Sequence, residues 1–348
     1  MKYLLPLVGA CLSAGFLTAC TGAGNAPASS TPMSLEQHRA GQSPTGNAKH
    51  KPGANPHLYV ANYDADTVTV YVPDRSSVMR TVSQGLTAPI SLAFDVSGNL
   101  YVGNQTDYNV TVYAAGTSQL LRTISQGVGM PVAMTVDGSG ELYVANLAYN
   151  TVTVYAPGHK KVLRTISQGV RGPESLAFDG SGNLYVTDES SNTVTVYAPG
   201  GTSVLRTISQ GLKSPYRLMF DGTGNLYVAN YDNGSVTVYA PGSSTVLRTI
   251  SQGVHKPSAL AFDDSGNLYV ANYLEGTVTV YAAGSTSLLR TISKGVTTPV
   301  ALGFDPSGNL YVADGSVSKV TLYAPGSTSV LRTITRGLKG PAALAFGP

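Results

Sequence analysis

From residue 58 onward the chain alternates short apolar runs with polar punctuation. Leu58 to Asn62, Thr67 to Tyr71, Val78 to Ser83 and Ile90 to Asp95 are each rich in Val, Leu, Ile, Thr and Tyr, and each is bounded by Gly, Pro, Asn or Asp. Such runs read as short strands joined by tight turns. The tripeptide Leu-Tyr-Val recurs at Leu58, Leu100, Leu142, Leu184, Leu226, Leu268 and Leu310, a constant step of 42 residues without insertion. A fixed period of this size marks a repeat architecture. Four strands per unit predict the blade of a β-propeller. A β-solenoid is the other arrangement the period allows, although its coils are usually shorter.

The phase of the repeat predicts the fold class: all-β, a seven-bladed propeller whose ring is closed by N- and C-terminal strands sharing one blade. Taking Pro-x-x-Leu-Ala-Phe-Asp as the innermost strand, complete blades start at Pro89, Pro131, Pro173, Pro215, Pro257 and Pro299. Residues 58–88 hold three strands without an inner one, and Pro341 to Phe346 is an inner strand with nothing after it. Together they make the seventh blade. A closed ring leaves fewer open sheet edges than an array with two free ends.

Leu-Tyr-Val-Ala-Asn (58–62, 142–146, 226–230, 268–272), Thr-Val-Thr-Val-Tyr (67–71, 151–155, 193–197, 277–281) and Pro-x-x-Leu-Ala-Phe-Asp (89–95, 173–179, 257–263) resemble the NHL and YVTN repeat propellers of bacterial and archaeal envelope proteins. The resemblance spans 58–348. It implies a propeller and an envelope setting, and says little about chemistry, because function lives in sites grafted on folds. Many NHL domains have six blades, whereas the repeat here predicts seven.

Residues repeated in every unit are expected to be structural. Arg80, Arg122, Arg164, Arg206, Arg248, Arg290 and Arg332 occupy the outermost strand. Asp95 and its equivalents precede the turn after the inner strand, where an Asp can accept from the turn's backbone amides. The informative positions are those where units differ. Strand order places the outer-to-inner and second-to-third connections on one face, the top. The other two connections, monotonous in sequence, lie on the bottom.

Of 21 tyrosines, six fall outside the repeat positions and the N-terminal segment: Tyr63, Tyr108, Tyr149, Tyr216, Tyr231 and Tyr273. All map to the top, where exposed tyrosines would make an interface. Arg171, Lys213, Arg217, Lys256, Lys294, Arg336 and Lys339 sit in or beside outer-to-inner loops. Asp64, Asp66, Asp107, Asp188, Glu189, Asp232, Glu275 and Asp314 sit in second-to-third loops. The expected top face has an inner basic ring, an outer acidic ring and tyrosines between them.

The residues before the repeat read as an address. Lys2 precedes a mostly apolar stretch from Tyr3 to Phe16, the length of a signal h-region and too short to span a membrane. Leu17-Thr18-Ala19-Cys20 resembles a bacterial lipobox, which implies lipidation at Cys20. Thr21 in place of Asp favours, by the enterobacterial rule, the outer membrane. Thus 1–19 is expected to be a lipoprotein signal peptide, 20–57 a lipidated Cys and flexible tether, and 58–348 the propeller. The tether is rich in Thr, Gly, Ala, Asn, Pro and Ser. As a coil its ends would lie about 30–35 Å apart.

Composition narrows the functions. Charged residues are 12% of the 348 and the net charge is +3, without the basic footprint of a nucleic-acid binder. Both cysteines, Cys11 and Cys20, precede the repeats, so no disulfide framework is expected. Propellers of related shape include metal lactonases and antibiotic lyases. Here Glu174 is the only acid inside an inner strand and His255 the only histidine in a top loop, so no catalytic residue, metal site or cofactor is expected.

The expected function is a non-catalytic, monomeric envelope scaffold that presents its top face to a glycan, peptide or protein and meets the membrane through its lipid alone. The expected site is a top mouth where Tyr216 stacks a ligand and Glu174 and Arg217 fix its polar groups. His255, Lys256, Lys213 and Arg171 complete that mouth, and Tyr63, Tyr231 and Tyr273 stand at its rim. A Glu174–Arg217 ion pair of purely structural purpose is the competing account of the same residues. A lactonase- or lyase-like enzyme and a purely structural envelope part are the alternatives of function.

Overall fold

The computed structural model describes residues 56–72 and 76–348. The expected signal peptide, Cys20 and nearly all of the expected tether lie outside the described residues. The rest is a seven-bladed propeller of four-stranded antiparallel sheets. In the first complete blade the strands run Pro89–Phe94, Leu100–Asn104, Asn109–Tyr113 and Leu120–Ile124, from the axis outward. The ring closes as the phase of the repeat requires. Pro341–Gly347 pairs with His57–Asn62, which continues to Thr67–Tyr71 and Val78–Val82. Leu58 faces Phe346 and Val60 faces Leu344 across this seam. Pairing of His57 with Gly347 starts the first strand one residue before the expected boundary.

Each inner strand opens on a proline, the one strand position where a missing N–H costs no ladder bond. The register then slips: Pro173 faces Asp188 and Ser175 faces Thr187, with Glu174 the extra residue of a bulge between them. The same bulge recurs after Pro215, with Tyr216 the extra residue. A bulge re-aims the side chain it carries. At this position the units differ in character: Ile90, Val132, Glu174, Tyr216, Ser258, Val300 and Ala342.

Blades are joined by repeated contacts. Each third-strand tyrosine donates its hydroxyl to a carbonyl of the connection entering its blade, as Tyr113 to Gln84 O at 2.6 Å. At the seam Tyr71 does the same to Arg336 O. Burial pushes the Tyr71 hydroxyl up to about 12. At six of the seven blade boundaries the tyrosine of Leu-Tyr-Val meets the next blade's phenylalanine edge to face, as Tyr143 with Phe178 at 5.0 Å. The repeat arginines belong to the same packing: Arg122 donates to Tyr101 Oη at 2.9 Å and lies 5.6 Å from its ring centroid. Asp95 Oδ1 accepts from the amides of Ser97 and Asn99, capping the turn.

Candidate functional site: the top face

Two recurrent hydrogen bonds hold the top connections. The last residue of each second strand is buried, and its side-chain oxygen accepts from the outer-to-inner connection of its own blade. Asn146 takes the Gly129 amide at 3.0 Å, Asn230 that of Lys213 and Asn272 that of His255. One turn later a residue in the left-handed region reaches forward to the next blade. Asp66, at φ 54°, accepts from the Ala88 amide, and Asn192, at φ 56°, from that of Ser214, both at 2.6 Å. Asn and Asp suit this position because they tolerate positive φ and carry a short acceptor.

On this frame the expected site residues fall into two sets. Glu174, Tyr216, Arg217, Tyr231 and Lys256 form one continuous line of contacts across three blades. Arg217 Nη1 donates to Glu174 O at 2.9 Å and Tyr216 O at 3.2 Å. It also lies 3.9 Å from Glu174 Oε2. The guanidinium sits 4.0 Å from the Tyr216 ring centroid, and Tyr216 meets Tyr231 at 5.6 Å. Lys256 Nζ lies 4.6 Å from the Tyr231 ring and 2.6 Å from Asp232 Oδ1. Ser214 Oγ donates to Asp232 Oδ2 at 2.6 Å. Burial opposes the charge of Asp232, but the bonds from Lys256 and Ser214 outweigh it and hold the carboxyl below its ordinary range.

The second set is accessible. Arg171, Lys213 and His255 are exposed, while Tyr63 and Tyr273 are half-buried. The two tyrosines donate their backbone amides to Gly340 O and Lys256 O.

Accessibility corrects the expected picture in two respects. Tyr216 is 0% exposed, Glu174 1% and Arg217 6%, and Tyr231 is buried too. The bulge turns Tyr216 into an apolar cluster with Tyr231 and Val300 rather than into solvent. Burial accordingly raises the Tyr216 hydroxyl well above the ordinary tyrosine value, against the opposing pull of Arg217. The exposed top tyrosines are Tyr149, at 55%, and Tyr108, whereas Tyr63 and Tyr273 reach solvent only in part. The expected acidic ring also loses Asp188 and Asp314. Both end second strands, fully buried, at the position of the bridging asparagines.

Asp232 and Ser214, which anchor the outer end of the contact line, were not singled out among the candidate residues. Asp232 was visible as one acid among eight. Its pairing with Lys256 depends on two blades meeting, which a 42-residue unit does not display.

Comparisons with known proteins bear on the fold. No family model and no curated protein matches the chain. Solved structures do. A Lactobacillus plantarum protein is 19% identical, with TM-score 0.70 over 84% of this chain and 99% of its own. A protein from Bacteroides fragilis, described as a candidate 6-phosphogluconolactonase, is 16% identical with TM-score 0.72 over 84% and 98%. A streptogramin B lyase is 10% identical with TM-score 0.66 over 84% and 92%. At these identities the likeness is one of fold.

Proposed function

We propose that this chain is a non-catalytic binding scaffold of the cell envelope, of the NHL/YVTN repeat type, anchored by a lipid on Cys20 and directing its top face toward an envelope glycan, peptide or protein. One observation carries the reading. The side chain ending each second strand accepts from the backbone of the top connection in every blade, and at four boundaries a forward bond is added, while the exposed side chains displayed there differ: Tyr108, Tyr149, Arg171, Lys213, His255 and Leu274. A rigid frame bearing varied, partly aromatic groups suits recognition, since little order is lost on binding. The buried line from Glu174 to Asp232 serves in this reading as the support beneath that surface. The accessible rim, with Tyr63 and Tyr273 beside the exposed groups, is the part that touches a partner.

The test compares the full chain with a variant carrying Tyr108→Ser, Tyr149→Ser and Tyr273→Ser. Both are immobilised and exposed to purified peptidoglycan and to solubilised envelope protein. Retention by the parent and loss by the variant is expected. Equal retention by both, or none by either, overturns the reading. The lactonase alternative draws on the name of the Bacteroides fragilis neighbour. Hydrolysis of 6-phosphogluconolactone above the uncatalysed rate would favour it instead.

A further inference from the structure

The bottom connections, monotonous in sequence, enclose a groove of about 490 Å³ between the Pro131 and Pro173 blades. It lies among Val136, Asp137, Gly138, Tyr143, Phe178, Asp179, Gly180 and Pro199, with no Lys, Arg or His in its lining. A second groove of about 310 Å³ follows at the next blade boundary and shares Asp179 and Gly180 with the first. The larger is within the range of small-molecule sites, roughly 300–1,000 Å³.

This stretch departs from the repeat in two ways, and two turn glycines add room to it. Val136 stands where the other six inner strands end in phenylalanine. Gly138 and Gly180, like Gly222 in the blade that follows, occupy a turn position held elsewhere by Val96, Asp264 and Pro306. A Cβ at either glycine would meet nothing within 4 Å, so each leaves room that a side chain could fill. The second departure is Glu141, which replaces the asparagine that follows the other turns. In those turns the asparagine donates to the capping aspartate's second oxygen, as Asn183 Nδ2 does to Asp179 Oδ2 at 2.8 Å. Glu141 pairs with Arg164 instead. Asp137 keeps its capping bonds through Oδ1, from Ser139 and Glu141. Among the described residues its Oδ2 receives no donor.

We infer that this bottom groove binds a neutral saccharide of one or two residues. Two carboxylates without a basic partner in the lining repel an anion. A purely apolar ligand would desolvate Asp137 without replacing its lost hydrogen bonds. A pyranose meets both demands. Its hydroxyls donate to Asp137 Oδ2, and its C–H face lies on Val136 and Pro199 and against the ring edges of Tyr143 and Phe178. The bare backbone at Gly138 and Gly180 lets the ring sit low. The inference stands apart from the top-face reading, because the two surfaces lie at opposite ends of the strands.

The test uses the full chain, titrated calorimetrically with chitobiose, maltose, cellobiose, glucuronic acid and spermidine. At least one neutral disaccharide is expected to bind with a Kd of about 10 mM or tighter. Gly180→Val should fold, since Val96 occupies the equivalent turn 62% exposed. It should weaken binding at least about tenfold. Asp264→Val, the same turn position in the Pro257 blade and outside both grooves, should bind as the parent does. Asp137→Asn keeps the cap and should weaken binding by itself, which preserves the test if the valine variant misfolds. Absence of saccharide binding, binding unaffected by both Gly180→Val and Asp137→Asn, or binding of spermidine or glucuronic acid alone overturns the proposal.

Discussion

Asp188 accepts a hydrogen bond from Thr195 Oγ1 at 2.7 Å, at a buried position where five of the seven blades place asparagine. The asparagines donate as well as accept: Asn230 Nδ2 gives to Val228 O at 3.3 Å and Thr237 Oγ1 at 3.2 Å. An ionised carboxylate has no proton to give. Burial therefore pushes Asp188 up to about 7, against the hydrogen bonds it accepts from Thr195 and Arg171. Burial raises Asp314 likewise, against the Thr297 amide and the Lys319 charge.

The sign of the pH dependence follows. A carboxyl whose folded pKa exceeds its unfolded one binds more protons in the folded state, so stability is highest at low pH and is lost as pH rises from about 4 to about 7. Asp188→Asn should restore the repeat's amide, raise stability near pH 8 by roughly 1–3 kcal/mol and flatten the profile. Urea midpoints at pH 5 and pH 8 check this. Asp314→Asn added to it should remove a further part of this fall, while the lowered carboxyls of Asp221 and Asp232 keep their slope of opposite sign.

Ring closure yields a second expectation. Pro341–Gly347 is the inner strand of the seam blade, paired with His57–Asn62 along its length. Deleting 341–348 exposes that strand's edge and the apolar face beneath it. The melting temperature should fall by about 10 °C or more, or the protein should aggregate. An unchanged melting curve would contradict a load shared through the seam.

Arg217 and Glu174 should behave as a coupled pair. Arg217→Ala leaves a carboxylate buried without its guanidinium, a loss on the order of 3–5 kcal/mol. Glu174→Val together with Arg217→Ala restores residues found at Val132 and Ala133 in the Pro131 blade. That double variant should recover most of the stability. Denaturant titration of the parent, Arg217→Ala, Glu174→Val alone and the double variant gives the coupling, and additive losses would show that the pair does not interact.

Tyr108 adopts φ 52° where the equivalent Asp66, Asn150 and Asn192 accept a hydrogen bond from the next blade. Tyr108→Asn should relieve left-handed strain and supply an acceptor for the Met130 amide, a gain of about 0.5–1.5 kcal/mol. The same variant tests the top face, because a stabilised protein that binds its partner less well separates recognition from folding.

Lipidation at Cys20 is checked in cells. Cys20→Ala should abolish globomycin-sensitive processing and move the protein out of the membrane fraction. A variant still cleaved and membrane-bound would dismiss the anchor.

The chain of 42-residue units determined the blade, the count of seven and the strand pairing that closes the ring. These follow from local patterning repeated in register, because every strand pairs within its own unit except at the seam. It also marked Glu174, Tyr216 and Arg217 as departures from the repeat. Whether those side chains reach solvent was decided only in three dimensions. Tyr216 is sealed by Tyr231 and Val300, the latter from a blade two units on. Asp188 and Asp314 stood in sequence beside loop acids, and their burial came from the outer-to-inner connection folding over the strand end. The bottom groove depends on the absence of side chains at Gly138 and Gly180 together with the spacing of adjacent blades. A glycine in a turn looks the same in sequence whether its missing Cβ opens a cavity or faces bulk water. Period and polarity are properties of one strand and its neighbour, whereas burial and cavity shape belong to the packing of one blade against the next.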